Sequence, residues 1–216
     1  MSAPFQVETH QSHPRRVVIR KRDLAIKLQM VGAHPKPKVA LEQYTIPADL
    51  AADILFLACY SYGDIEGKFV ADLGTGTGRL ALGASMLGAE FIVGIDVDRV
   101  SLDVAAESSN LLKIPVDWVL GDIETLKGPV DTVLMNPPFG TKQPHADLKF
   151  LEVAIRSAKT VYSIHKSSTR SFLTGWLRER HATPEAIVTT KMEIPHQFFF
   201  HRKRRRYVDV DVFRIK

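Results

Sequence analysis

Between positions 69 and 181 the sequence alternates short apolar runs with longer stretches of helical periodicity. That alternation restricts the fold more than any other feature. The runs are Phe69–Leu73, Phe91–Asp96, Val116–Leu120, Val130–Met135 and Val161–Ile164, and the helical stretches cover roughly 78–87, 98–112, 146–159 and 168–181. The runs are mostly apolar rather than alternating, which predicts strands buried on both faces. Parallel neighbours need a crossover of a dozen or more residues, and the intervening helices supply it. The expectation is an α/β, Rossmann-like domain with a mostly parallel sheet and helices on both faces. Two further runs, EAIVTTKMEIP and YVDVDVFRI, have no full helix between them, and the second alternates with period two. They predict an antiparallel C-terminal hairpin at one edge, completing seven strands.

Upstream, Leu24, Leu28 and Val31 recur at helical spacing before GAHPKPK breaks the chain. LEQYTIPADLAADILFLACYSYG then places Pro47 at a first helical turn. The 216 residues are therefore expected to form a basic arm at 1–19 and a single domain at 20–216. Within that domain a helical cap spans 20–66 and the core 67–216. No apolar run approaches the roughly 18 residues of a membrane span, and MSAPFQVETHQSHP lacks a signal-peptide pattern. The single cysteine, Cys59, rules out an internal disulfide and reads as a small core residue. A cytoplasmic protein is expected.

Charge is concentrated. Residues 13–27 and 201–206 (HRKRRR) each carry a net +5, and since the whole chain is also +5, the remainder is net acidic. Clustered Lys and Arg of this kind suit a polyanionic partner.

The first apolar run leads into ADLGTGTGRLAL, with Gly74, Gly76 and Gly78 at the strand-to-helix turn. There a missing Cβ lets a ligand approach the backbone, Thr75 included. The second run ends in Asp96, placed to accept from both hydroxyls of a ribose. The loop is G-x-G-x-G with Arg79 where a dinucleotide fingerprint has its last glycine. Asp72, just before it, repels a pyrophosphate but attracts an ammonium. S-adenosylmethionine combines that ammonium with a sulfonium and a ribose. Asp122, ending the third run, is placed to accept from an adenine amine, with Ile123 beside the ring. A single such acid serves equally well as a helix cap. Three at successive strand ends, on the carboxyl edge, point to a nucleotide site.

DLGTGTG, GIDVD, GDI and NPPF, in this order, resemble the class I S-adenosylmethionine-dependent methyltransferases of the N6-adenine type. PKVALEQYTIP, VYSIHKSSTR and EIPHQFFFHRKRRRYVDVDVFR narrow the resemblance to the archaeal and eukaryotic methyltransferase-like 5 family. It covers about residues 20–216; the first ~15 residues match nothing in it. It implies N6-adenine methylation of small-subunit ribosomal RNA, with Gln43 and Tyr44 folding over the methionine end of the cofactor. It also implies a small zinc-binding activator protein covering an apolar edge, for which VDWVL with Trp118 is the candidate strand.

The chemistry of NPPF follows from its residue types. An amine on an aromatic ring is a weak nucleophile because its lone pair is delocalised. The Asn136 side-chain oxygen and the Pro137 carbonyl can accept both amine hydrogens and turn the lone pair toward the methyl donor. Pro137 and Pro138 fix φ near −65° and offer no competing N–H. Phe139 stacks on the base, worth about 1–3 kcal/mol. Phe198, Phe199 and Phe200 beside His201, Arg202, Lys203, Arg204 and Arg205 suit an extruded base flanked by phosphates. His165 and Lys166 either face RNA or cap a helix. Guanine-N2 and glutamine-N5 methylation remain open, since both need the same acceptor pair, as does a non-catalytic RNA-binding or ribosome-assembly role.

Overall fold

The computed structural model describes residues 19–140, 145–195 and 205–216. The expectations placed on the arm before Ile19 and on residues 198–204 lie outside the described residues.

Two helices, α1 (Lys21–Gln29) and α2 (Ala48–Phe56), precede the sheet. The α/β units then follow as β1 (Phe69–Leu73), α3 (Arg79–Met86), β2 (Phe91–Asp96), α4 (Arg99–Leu112) and β3 (Asp117–Leu120). They continue through β4 (Val130–Met135), α5 (Ala146–Ser157), β5 (Ala158–Lys166) and α6 (Arg170–Arg178) to the hairpin β6 (Pro184–Pro195) and β7 (Arg205–Ile215). The seven strands form one sheet in the order β3-β2-β1-β4-β5-β7-β6. β1 to β5 run parallel, and β7 lies antiparallel between β5 and β6.

Strand pleating sends alternate residues to opposite faces, and each face has its own core. Val70, Leu134 and Tyr162 pack with Leu24 and Leu28 of α1, Leu55 of α2 and Leu82 of α3. On the other face Leu73, Val133 and Met135 meet Leu151 of α5 and Leu173 and Leu177 of α6. Full burial of such a side chain contributes about 1.5–3 kcal/mol. Cys59 is buried, as expected of a small core residue.

Strand order reverses between β1 and β4, the place where open α/β sheets bind ligands. The register pairs Leu73 with Met135. The glycine turn and the Asn-Pro-Pro-Phe loop, each beginning one residue later, therefore stand side by side.

β3 is an edge strand, as the sequence predicts, but Trp118 does not serve that edge. A Cβ on Gly78 would sit 2.5 Å from Trp118 Cη2, and one on Gly94 would sit 2.5 Å from Trp118 Cζ3. The indole fills the space behind the glycine turn, and Leu120, 45% exposed, is the apolar residue left at the edge. Gly78 also has φ +86°. The Gly78→Ala substitution is expected to lower unfolding stability by about 1–3 kcal/mol through overpacking and backbone strain, read as an earlier urea midpoint at unchanged slope.

Candidate active site

The carboxyl ends of β1, β2 and β4 open onto a cleft of about 310 Å³, within the range of about 300–1,000 Å³ for small-ligand pockets. Its floor is the glycine turn. A Cβ on Gly76 would meet nothing within 4 Å, whereas one on Gly74 would strike Phe150. The open space lies over Gly76, on the cleft side.

Asp72 is 1% exposed, and its Oδ2 accepts from the Thr75 hydroxyl (2.7 Å) and the Ala81 N–H (3.0 Å). Burial pushes its carboxyl up to about 7, the neighbouring Asp96 charge adds to that, and the two hydrogen bonds oppose it. Asp96 accepts from the Gly76 N–H (2.8 Å) and the Asp98 N–H (2.8 Å), and burial raises its carboxyl as well. Asp122 lines the cleft beside Ile123. It accepts from the Glu124 N–H and pairs with Lys149 at 3.0 Å, which together hold its carboxyl below the ordinary range. Two of these three acids thus also bond backbone N–H groups at the start of a helical turn, so capping and lining coincide.

The roof is a strap formed by residues 34–46. Gln43 does lie over the cleft, but its amide nitrogen donates to Asp98 Oδ2 (2.7 Å) and its oxygen accepts from the Lys38 N–H (2.7 Å). Asp98, 2% exposed, also receives His34 Nε2 and Lys38 Nζ, each at 2.8 Å. Burial alone would raise the Asp98 carboxyl; these partners hold it well below its ordinary value. Arg79 extends to the carbonyls of Ile46 (2.5 Å) and Val31 (3.3 Å), so the residue in the place of a third fingerprint glycine ties the cap to α3.

At the other end of the strap, Asn136 Nδ2 donates to the Tyr44 carbonyl at 3.2 Å. Asn136 Oδ1 is buried with no hydrogen-bond partner among the described residues, and Asn136 lines the cleft. Buried acceptors are almost always satisfied, so this oxygen marks where a ligand donor belongs. Pro138 lines the cleft and Pro137 is buried. The Phe139 ring stacks near Tyr44 (6.3 Å, 27°), and Lys166 Nζ stands 5.7 Å from its centroid. Open glycine turn, buried acids and unmatched acceptor together fit a nucleoside bearing a cationic tail.

Lys166 therefore reaches the site, but His165 does not. It is 2% exposed, bonds Ser163 Oγ at 2.7 Å and faces Asp147 at 3.6 Å, so it neither meets RNA nor caps a helix. Arg205 opens β7; Phe200, His201, Arg202, Lys203 and Arg204 lie outside the described residues. Sequence reasoning missed Glu42 and Asp98. Glu42, 5% exposed, accepts the Phe139 N–H at 2.9 Å. The available signal was a lone acid in a strap whose other full charges are Lys36 and Lys38, which is weak.

A family model described as ribosomal protein L11 methyltransferase (PrmA) matches residues 54–137, the segment holding β1 to β4. The rRNA N(6)-adenosine-methyltransferase Mettl5 of Drosophila melanogaster is 37% identical, covering 92% of this chain and 97% of that protein. The METTL5 enzyme of Danio rerio is 35% identical over 91% and 98%. Among solved structures, a Pyrococcus horikoshii protein assigned as an RNA methyltransferase is 44% identical, with TM-score 0.84 over 92% of this chain and 98% of that one. Full-length identity of this degree, with the glycine turn, strand-end acids and NPPF loop in one cleft, makes the chain a member of the METTL5 family.

Proposed function

We propose that this protein transfers a methyl group from S-adenosylmethionine to N6 of an adenosine in ribosomal RNA, and specifically in the small subunit. The observation that carries the reading is the buried, unmatched Asn136 Oδ1 beside the glycine turn. When bound, S-adenosylmethionine supplies an electrophilic methyl on a sulfonium. Gly74, Thr75 and Gly76 would form its bed, Asp72 would face its ammonium, and Asp96 its ribose. Asp122 and Ile123 would meet its adenine, and the Gln43–Tyr44 segment would close over it.

On the substrate side, Asn136 Oδ1 and the Pro137 carbonyl accept the two hydrogens of the exocyclic amine. Phe139, backed by Tyr44, stacks on the base, and Lys166 adds positive charge beside it. The methylated nitrogen then loses a proton to solvent, so no strong base is required. Holding the amine in line with the donor supplies most of the acceleration, since well-oriented pairs gain about 7–11 kcal/mol.

The hairpin supports an RNA substrate. β7 pairs with β5 as far as Lys166↔Val210, whereas β6 and β7 continue together to Pro195↔Arg205. At about 3.3 Å per residue, those five further rungs carry the hairpin some 16 Å past the carboxyl edge. Phe200 is proposed to meet the extruded base, and His201 to Arg205 to grip the phosphates flanking it. The helical cap (20–66) and core (67–216) would act as one domain, and the outer edge of β3 at Leu120 would take a small zinc-binding activator. No helix of the described residues is long and apolar enough to cross a membrane, and a cytoplasmic location is proposed.

The test is methyl transfer onto ribosomal RNA fragments with the modified base mapped, alongside nucleoside analysis of ribosomes from cells lacking the gene. Loss of one N6-methyladenosine is expected. An unchanged level, or label on guanine or protein, overturns the reading.

A further inference from the structure

We propose that Glu42 is a positioning residue of the methyl-transfer site, setting the Asn-Pro-Pro-Phe loop through the Phe139 amide. Pro137 and Pro138 carry no N–H, so Phe139 supplies the first backbone donor after Asn136. Glu42 Oε2 takes that donor at 2.9 Å. Hydrogen bonds to a carboxylate are shorter and about twice as strong as neutral ones, and Glu42 is 5% exposed, where water competes little.

The strap is built to present this carboxylate. Glu42 has φ +48°, a left-handed conformation that non-glycine residues seldom adopt. Such strain persists where surrounding contacts over-determine it. Here the Glu42 carbonyl accepts the Tyr44 N–H at 2.8 Å, closing a tight turn. That turn places the Tyr44 carbonyl against Asn136 Nδ2 (3.2 Å) and the Tyr44 ring beside Phe139. Three contacts thus clamp the loop from one side. The strap is anchored on Asp98 along its length by His34, Lys38 and Gln43. Asp98 in turn bonds Asp96, the proposed ribose acceptor, through its own N–H. The ribose end of the cleft and the acceptor loop are therefore joined through one segment, with Glu42 and Tyr44 as its contacts to the loop.

The inference rests on the methyl-transfer reading for its rate measurement but not for its structural one. The full chain and its Glu42→Gln and Glu42→Ala variants are compared by amide hydrogen exchange at Phe139, cofactor calorimetry and single-turnover methyl transfer. Glutamine keeps an acceptor oxygen and alanine keeps none. In Glu42→Ala the Phe139 amide is expected to exchange at least about tenfold faster, with the turnover rate down by about 10²-fold, the usual result of ångström-scale misplacement. Cofactor affinity stays within about threefold, because Gln43 remains tied to Lys38 and Asp98, and KM for RNA rises by less than the rate falls. Glu42→Gln is expected to retain parental exchange and most of the rate. Parental exchange at Phe139 in Glu42→Ala, or a Glu42→Gln rate as low as the alanine variant's, overturns the proposal. If the parent itself leaves RNA unmethylated, the functional reading fails, and the exchange comparison still decides whether Glu42 holds the loop.

Discussion

Replacing Asn136 by alanine is expected to slow methyl transfer by about 10²–10³-fold, as removal of a preorganised polar group at a reacting centre does, while cofactor affinity changes only a few-fold. The reason lies in the asymmetry of the side chain. Nδ2 is fixed by the Tyr44 carbonyl at 3.2 Å, which leaves Oδ1 as the half with no partner among the described residues. An unmatched buried acceptor costs about 1–3 kcal/mol, and alanine would remove that penalty, so the variant is expected to be no less stable to urea. Loss of rate without loss of fold distinguishes a functional orphan from a packing defect. Asn136→Asp provides the control. It keeps an acceptor in the same place but turns the Nδ2 donor into an oxygen facing the Tyr44 carbonyl, so an intermediate rate is expected. Single-turnover kinetics with calorimetry on both variants would settle the matter; parental transfer by Asn136→Ala would remove the acceptor role altogether.

Most of the fold was legible because its punctuation is local. β1, β2 and β4 have their sequence-predicted bounds, since Leu73 meets Gly74 and Met135 meets Asn136-Pro137, residues that stop strands by themselves. β5 runs longer than the apolar segment Val161–Ile164. Its polar ends are held by partners on β4 and β7, from Val130↔Ala158 to Lys166↔Val210, and no local pattern reports those. The same distance effect governs the site. The strand-end acids could be found because chain order alone sets them on one edge. Glu42 and Asp98 act through partners 97 and 55–64 residues away, and short-range spacing is silent about them. His165 was misread for the converse reason: a histidine at a strand end suggests exposure, but Ser163 and Asp147 satisfy it inside the core. Trp118 on an edge strand suggests an outward face, yet two glycines, Gly78 and Gly94, leave the hollow it fills.

Affinity for S-adenosylmethionine is expected to rise with pH between about 6 and 8 and to level off above, with Asp72 as the group responsible. Burial pushes its carboxyl up to about 7 in the free protein, so at pH 6 it mostly holds a proton. A cationic ammonium favours the ionised form, and binding must expel that proton; affinity therefore falls as pH drops through 7, by at most about tenfold per pH unit. Asp96 adjoins it and is also raised, so the Asp72→Asn variant is needed to assign the slope. That variant is expected to bind about 10–10²-fold more weakly at pH 8, the worth of one charge-assisted hydrogen bond, and to lose the Asp72 contribution to the slope. Stability should move the opposite way. An acid whose folded value is raised contributes stability that is complete below its unfolded value, near 3.9, and lost as pH rises through about 7. At pH 8 the ionised Asp72 is a liability to the free fold, and Asp72→Asn should unfold at higher temperature than the parent while binding its cofactor worse. Such opposition is characteristic of a group kept for its ligand. A flat affinity between pH 6 and 8 in the parent, or an asparagine variant weakened in both binding and stability, would show that Asp72 serves the turn at Thr75 and Ala81 and not the cationic end of the cofactor.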